Sequence, residues 1–193
     1  FGMQPESPVK FFEDVAKSIN ISIIVHQYPK WTKASYTTDQ LLQIVKIPNV
    51  EAVKIGTREM AQYEVDVRAL KEYAPDVSIL TCHDEYLLPT LIQGIDGALV
   101  GFACFVPNLI TALVKAVWDQ NLPEALKIYD QIYRLKHVVY KMGEPSATAH
   151  ARMKEAMYQR GLISSAITRP PVISLTDEEK QEINRKLKEV GLI

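Results

Sequence analysis

The sequence predicts an α/β protein built from repeated strand–helix units. Four short apolar runs, at 21–25, 50–57, 77–81 and 98–103, alternate with segments of helical periodicity. Reactive side chains at or near the carboxyl ends of the first three runs are evenly spaced, with 28 residues from His26 to Lys54 and 28 from Lys54 to Cys82. In parallel α/β folds the carboxyl ends of the strands form the active face, so we expect these side chains there.

The first unit is predicted from its end signals. A helix should begin at Ser7, whose hydroxyl would cap it, with Pro8 in the first turn, and end at Asn20. The β-branched run 21–25 then suits a strand covered on both faces, ending in His26. The other elements expected before residue 107 are helices over 38–46, 58–73 and 85–93 and strands over 50–57, 77–81 and 98–103.

The chain from residue 107 onward is predicted to be helical. Helices are expected over 107–118, 123–141 and 147–160, the last closed by Gly161, and a final helix should be capped at Thr176. The acidic run at 177–179 lies where a helix dipole favours negative charge, so it indicates a helix start rather than a metal site.

Composition excludes several classes of function. The 193 residues carry a net charge of −1, which gives no basic excess for nucleic acid or for an anionic membrane surface. The longest apolar run, 97–109, is too short to span a bilayer. Cys82 and Cys104 indicate reduced thiols in a cytoplasmic protein rather than a disulfide framework. The start at Phe1, without methionine or a basic leader, is typical of a chain entered partway through a loop.

The functional interpretation of the sequence depends on Lys54. It interrupts an apolar, β-branched run, and an ammonium is expensive to remove from water unless it is paired or loses its proton. A desolvated lysine at a strand end is a candidate amine nucleophile that forms a Schiff base with a carbonyl. The alternative is a structural lysine whose stem is covered and whose ammonium reaches solvent.

The order and spacing of several motifs resemble the dihydrodipicolinate synthase and N-acetylneuraminate lyase family. Ala-Val-Lys-Ile-Gly-Thr at 52–57 is similar to the family's Schiff-base lysine strand, and His-Gln-Tyr-Pro at 26–29 to its Tyr-Asn-Val/Ile-Pro. Thr-Cys-His-Asp at 81–84 is similar to its Ser-Gly-Asp-Asp, and Gly-Ile-Asp-Gly at 94–97 to its Gly-Ala-Asp-Gly. The Arg-Pro-Pro tail at 169–171 before the last helix also recurs there.

The resemblance implies a (β/α)8 TIM barrel. Residues 1–106 would be its second half, the family's strands β5 to β8, and residues 107–193 its C-terminal helical part. On this alignment the family's strands β1 to β4 precede Phe1, so the chain as given would be a half barrel with two exposed sheet edges, either a fragment or completed by another copy or chain.

The resemblance also implies a function. The expected activity is a Schiff-base lyase, an aldolase or dehydratase, acting on a 2-oxo acid such as pyruvate or a 2-keto-3-deoxy sugar acid. Lys54 would form the imine and His26 would move the proton, while Thr57, Gly56, Cys82 and Leu99 would contact substrate. No metal or organic cofactor is expected, and the partners would be the substrate and further copies in a homo-oligomer, with no nucleic acid and no membrane.

Departures from the family motifs shape this expectation. His26 stands where the family has tyrosine, and imidazole can fill that acid–base role nearer neutral pH. Lys30-Trp31-Thr32 replaces Gly-Arg-Thr, which removes an arginine associated with substrate carboxylate binding, and Cys104 replaces an asparagine. These changes favour another 2-oxo acid over the substrate of the lysine-pathway synthase. Residues 144–146 and 150–154 resemble the branch that handles 2-keto-3-deoxy sugar acids.

Two other functional hypotheses are compatible with the sequence. His26, Cys82, His83 and Cys104 have the residue types of a zinc site for a metal-dependent carbonyl lyase, although adjacent Cys82 and His83 should point to opposite sides of a strand. The chain could also be a non-catalytic half-barrel assembly module whose helices over 107–160 form the oligomer surface. Tyr28, Trp31, Leu99 and Phe102 are expected at the mouth of the pocket, with core packing as the alternative.

Overall fold

The computed structural model describes residue 4, residues 6–141 and residues 147–193 of the chain. They form two compact units, the first comprising the described residues up to 83 together with 89–99, and the second comprising residues 84–88 and the described residues from 100 onward. The strands are β1 Ile23–Gln27, β2 Val50–Ile55, β3 Ser78–Thr81 and β4 Gly97–Ala98. The helices are α1 Ser7–Ser18, α2 Pro29–Thr32, α3 Thr38–Ile44, α4 Met60–Tyr73, α5 Leu87–Leu91, α6 Pro107–Trp118, α7 Leu122–Val139, α8 Ala147–Gln159 and α9 Asp177–Glu189, with a 3-10 helix at Gly101–Cys104.

The first unit contains one parallel sheet in the order β1-β2-β3-β4. This arrangement confirms the predicted strand–helix repeat, because each strand lies beside the one that precedes it in the chain. His26 pairs in register with Lys54, and Lys54 with Leu80. The carboxyl ends of the first three strands therefore lie at one edge of the sheet.

The two faces of the sheet differ in burial. Val25, Val53 and Ile79, on one face, are at most 2% exposed. On the other face Ile24 is 50% exposed, and His26 is also exposed. The prediction that residues 21–25 form a strand covered on both faces is therefore wrong: β1 begins at Ile23 and alternates between buried and exposed side chains, the pattern of a strand with one covered face.

Helix capping was predicted correctly at the last helix and incorrectly at the first. Thr176 caps α9 through a capping box with Glu179, and the acidic run lies in its first turn. Thr37 and Gln40 form a similar box at α3. Ser7, however, is the first residue of α1, whose N-cap is Glu6 without a side-chain cap, and Pro8 alone marks the start. Gly161 follows α8 with φ 69°, as its predicted closing role requires.

The fourth strand is much shorter than the predicted run over 98–103. The Asp84 carboxylate accepts hydrogen bonds from the backbone N–H groups of Gly101 and Phe102, at 3.0 and 2.9 Å, and from the Tyr140 hydroxyl at 2.6 Å. These two N–H groups therefore do not pair with a neighbouring strand, and the 3-10 helix begins where they bind Asp84. Asp84 lies 17 residues before Gly101 in sequence, so the local apolar pattern carried no sign of it.

The second unit is a group of helices with its own core. Phe102 is fully buried and packs against the rings of Phe105 and Tyr140, with centroids 4.9 and 5.0 Å apart. The expectation that Phe102 shapes a pocket mouth is therefore wrong, and its alternative, core packing, is correct. In the described part of the chain, no helix has the length and hydropathy needed to cross a bilayer.

We predict that Asp84→Ala lowers the free energy of unfolding by at least about 2 kcal/mol, because it removes the acceptor of three hydrogen bonds, two of them buried and one part-buried. Urea denaturation followed by circular dichroism measures the change. Asp119→Ala is the control, since it removes only an exposed ion pair with Lys115, which contributes at most about 1 kcal/mol. Equal effects of the two substitutions would contradict the assigned role of Asp84.

Candidate active site

The candidate site lies in the first unit, at the carboxyl ends of β1, β2 and β3. His26, Lys54 and Leu80 form one row across the exposed face of the sheet. Two residues further along each strand, and therefore on the same face, come Tyr28, Gly56 and Cys82. Lys54 is half-buried, and none of the described residues forms a hydrogen bond or ion pair with its amine.

The backbone of β1 lies very close to Gly56, which follows β2. A Cβ at this position would lie 2.5 Å from the Gln27 carbonyl oxygen, 2.9 Å from Cδ2 of Tyr28 and 3.5 Å from Cβ of Cys82. The first two distances are too short for any side chain, and the first is to backbone. Glycine is therefore required by the proximity of β1.

His26 and Cys82 meet across this gap. The Nε2 atom of His26 lies 3.5 Å from the Cys82 sulfur, although β2 separates their strands. Although His26 is exposed as a residue, its ring packs against Tyr28 and Cys82. Desolvation of the ring is the larger cause that lowers the pKa of His26 to about 4, and the charge of Lys54 is the smaller. The imidazole is therefore neutral at pH 7, and the acid–base role expected of His26 stays a prediction.

A stack of side chains extends from His26 over the end of β2. The Tyr28 ring lies nearly parallel to the His26 ring, at 15° with centroids 5.0 Å apart. The Arg58 guanidinium carbon lies 5.5 Å from the centroid of the same Tyr28 ring. Arg58 Nη1 also donates to the Gly56 carbonyl oxygen at 3.2 Å and lies 3.3 Å from Nδ1 of His83. Because guanidinium is only a donor, Nδ1 of His83 is the acceptor and the ring's proton is on Nε2.

His83 lies apart from the His26 and Cys82 pair, as the alternation of side chains along an extended strand requires. It is fully buried and packs edge-on against Tyr63, with centroids 5.5 Å apart. Across the described residues, no three histidine, cysteine or acidic side chains are grouped as a metal ion would need. The zinc constellation read from the sequence is thus not assembled by the residues that the structure describes.

The remaining predicted site residues differ in their exposure to solvent. Thr57 follows the Lys54 strand and is buried, whereas Leu99, two residues after Gly97 of β4, is 44% exposed. Leu99 donates its backbone N–H to the Thr81 carbonyl oxygen. The side chain of Trp31 and residues 144–146 lie outside the described part of the chain. The roles assigned to Thr57, Gly56, Cys82 and Leu99 in substrate contact stay predictions.

Sequence reasoning did not identify Arg58 as part of the site. It is four residues beyond Lys54, past the end of β2, and no periodicity extends into that turn. Tyr28 was placed only at a pocket mouth, yet the period of two along a strand puts it on the same face as His26. That signal was sufficient to predict the pair of stacked rings.

Comparison with known proteins identifies similar sequences and folds. A model described as the Dihydrodipicolinate synthetase family matches residues 3–190. The 4-hydroxy-tetrahydrodipicolinate synthase of Chlorobium luteolum is 28% identical over 190 residues, which cover 97% of this chain and 61% of that protein. The Escherichia coli protein named "Probable 2-dehydro-3-deoxy-D-pentonate aldolase YjhH" is 21% identical over 190 residues, covering 98% of this chain and 62% of the relative.

A solved structure shares the fold. YagE of E. coli K12, a prophage protein of the dihydrodipicolinic acid synthase family whose structure was determined in complex with pyruvate, superposes with a TM-score of 0.86 at 21% identity. The match covers 100% of this chain and 64% of YagE. The chain thus spans about three fifths of the length of the curated relatives it matches.

We predict that Gly56→Ala destabilises the first unit by about 1–3 kcal/mol, because the added methyl group collides with the Gln27 carbonyl. Gly97→Ala, on the same sheet, is the control: its Cβ would lie 3.4 Å from a Leu80 methyl carbon, an ordinary contact. Urea denaturation of both variants measures the difference. Indistinguishable midpoints would refute the steric requirement at position 56.

We predict that His26 titrates with a midpoint of about 4 and that Lys54→Met raises this midpoint, because the substitution removes a positive charge that disfavours imidazolium. The ring-proton chemical shifts of His26, followed by NMR against pH, give the midpoint. Lys46→Met removes a surface lysine that is not among the causes of the shift and should leave the midpoint unchanged. A wild-type midpoint near 6.5 would contradict the desolvation argument.

Proposed function

This chain belongs to the dihydrodipicolinate synthetase family, and we propose that it is a lyase that forms a Schiff base between Lys54 and a 2-oxo acid. The observation that carries the proposal is the position of Lys54. It lies at the carboxyl end of a strand flanked on both sides in the sheet, next to a neutral histidine in register, in a family whose named members include synthases and an aldolase. Family membership does not favour the assembly-module or metal-dependent alternatives.

The chemistry begins at the amine of Lys54. After the Lys54 ammonium gives its proton to solvent, the free amine attacks the C2 carbonyl of the 2-oxo acid. The neutral adduct then expels hydroxide, which takes a proton from an acid and leaves as water, so that a protonated imine remains. That imine accepts the electron pair of the C3–C4 bond in aldol cleavage, while the proton of the C4 hydroxyl passes to a base. In dehydration it accepts the pair of the C3–H bond, and hydroxide then leaves from C4. No metal or organic cofactor is required by either route.

His26 is the group proposed to move these protons. A neutral imidazole carries one nitrogen that accepts a proton and one that donates, so a ring with a pKa of about 4 is available to both directions of transfer at pH 7. Its register with Lys54 places it on the same face of the sheet. Buried Thr57 and the backbone at Gly56 are proposed to contact the substrate beside the imine, with Cys82 and Leu99 along its edge.

Pyruvate is the simplest substrate that fits this proposal. YagE, which shares the fold, was solved in complex with pyruvate, and the relative YjhH is named as a probable 2-dehydro-3-deoxy-D-pentonate aldolase. Lys54 and Arg58 both place positive charge at the end of β2, which suits a carboxylate. We further propose that the sheet forms the second half of a (β/α)8 barrel and that the protein acts as a homo-oligomer in the cytoplasm.

We predict that borohydride reduction of the chain in the presence of pyruvate adds the mass of one reduced pyruvate, and that Lys54→Ala abolishes the adduct. Intact-mass spectrometry measures both. Lys46→Ala should retain full labelling, because it removes an exposed amine and leaves Lys54 in place. An adduct that persists in Lys54→Ala, or its absence from a folded wild-type sample, would overturn the proposal.

A further inference from the structure

We propose that Cys82 is the proton partner of His26, the group that gives a proton to the ring and takes it back. Its thiol donates a hydrogen bond to Nε2, which keeps the ring's own proton on Nδ1. During catalysis a proton passes between the thiol and the substrate through the ring. The geometry behind this assignment is the 3.5 Å separation between the Cys82 sulfur and Nε2 of His26. The catalytic part of the inference rests on the proposed function, whereas the tautomer does not.

The direction of the hydrogen bond follows from the chemistry of the two groups. A thiol donates a hydrogen bond more readily than its sulfur accepts one, and imidazole nitrogen without a proton is a good acceptor. Among the described residues, Cys82 is the hydrogen-bond partner of the His26 ring. The proton of the neutral ring is therefore on Nδ1, and Nδ1 is the nitrogen left to meet a substrate.

A single neutral imidazole in this tautomer needs such a partner. If Nδ1–H gives up its proton alone, the ring becomes an imidazolate, which is very unfavourable in water at neutral pH. If the ring instead gains a second proton, the resulting imidazolium lies beside the charge of Lys54, which lowers the pKa of His26. Exchange of a proton with Cys82 avoids both charged forms of the ring.

The protons balance over the proposed reaction. When hydroxide leaves the adduct of Lys54 and the ketone, it takes the proton from Nδ1, and Nε2 takes the proton of Cys82. Water, a protonated imine and a thiolate result, with the ring still neutral. When C3–H or the C4 hydroxyl then gives up its proton, Nδ1 receives it and Nε2 returns its proton to the thiolate, which leaves a neutral enamine and the original thiol.

The fold supplies a reason why these two side chains can meet. Neighbouring strands are about 4.8 Å apart, so residues on β1 and after β3 are separated by a whole strand. Gly56 carries no side chain at the crossing point, and a Cβ there would already be 3.5 Å from Cβ of Cys82. The Tyr28 ring packs against the face of the His26 ring, and the Cys82 thiol contacts the edge of that ring. In this relay Cys82 acts through His26, separately from the substrate contact proposed for it above.

The test combines two measurements on the intact chain. Nitrogen-15 NMR of histidine-labelled protein reports the tautomer of His26, which we expect to be Nδ1–H. In Cys82→Ala the ratio of Nδ1–H to Nε2–H should fall on the order of 2- to 10-fold, the equivalent of one neutral hydrogen bond. Cys82→Ser keeps an O–H donor and should keep the tautomer. Cys104→Ala, which removes the exposed second cysteine, should change nothing.

The second measurement is the exchange of the C3 protons of pyruvate in deuterium oxide. Loss of the proton partner should slow exchange at least about tenfold in both Cys82→Ala and Cys82→Ser, because an alcohol is too weak an acid to replace the thiol. Borohydride should still trap the Lys54 imine in both variants after long incubation. Unchanged exchange in a folded Cys82→Ala chain with intact trapping would overturn the relay.

The two proposals fail in different ways. If wild-type protein gives no borohydride adduct, the Schiff-base function is wrong, while the tautomer measurement still tests the His26–Cys82 hydrogen bond. If the adduct forms and the wild-type ring is the Nε2–H tautomer, the function stands and the inference about Cys82 is wrong. Should Cys82→Ala fail to fold, the near-isosteric Cys82→Ser decides the exchange measurement.

Discussion

The close approach of β1 to the backbone at Gly56 is the constraint on which the candidate site depends. A parallel sheet normally keeps side chains of its first and third strands apart, since the middle strand's side chains stand between them. Here the middle strand has glycine at the crossing point, and the Gln27 carbonyl, the Tyr28 ring and Cys82 occupy the space around it. The same residue thus determines the approach of β1 and the contact between His26 and Cys82.

Charge at this end of the sheet is distributed unevenly. Lys54 and Arg58 are cationic, while His26 is neutral because imidazolium would be both desolvated and repelled by Lys54. Arg58 also makes His83 accept at Nδ1, so it fixes the tautomer of a fully buried ring. Positive charge is therefore carried by the two long side chains, and the two imidazoles are left to donate and accept. Such a distribution suits an anionic substrate and transfer of protons near neutral pH.

The sequence predicted the strand–helix order well, because its apolar runs are compact and its helix ends are marked by Pro8, Thr176 and Gly161. It failed where a distant group decides the local structure. Asp84 accepts hydrogen bonds from the backbone N–H groups that would otherwise have extended β4. The sequence of residues 98–103 contains no signal of that contact.

The same limit applies to the site. Strand ends and their spacing were sufficient to bring His26, Lys54 and Cys82 to one edge of the sheet, and the alternation of side chains separated His83 from Cys82. The pKa of His26 was missed, because it depends on burial and on the charge of a side chain from the neighbouring strand. Arg58 was missed because its contacts with Tyr28 and His83 come from three separate segments of the chain.

Two departures from the family's motifs prove to be contact partners. By the motif resemblance His26 would take the place of a tyrosine and Cys82 that of a glycine, and their side chains meet at 3.5 Å. A phenol that gives up its proton is reprotonated at the same oxygen. Imidazole divides the two functions between nitrogens on opposite sides of the ring, so a proton that leaves one side must be replaced on the other. In the proposed relay, the thiol of Cys82 is the group that replaces this proton, and it lies on the Nε2 side of the ring.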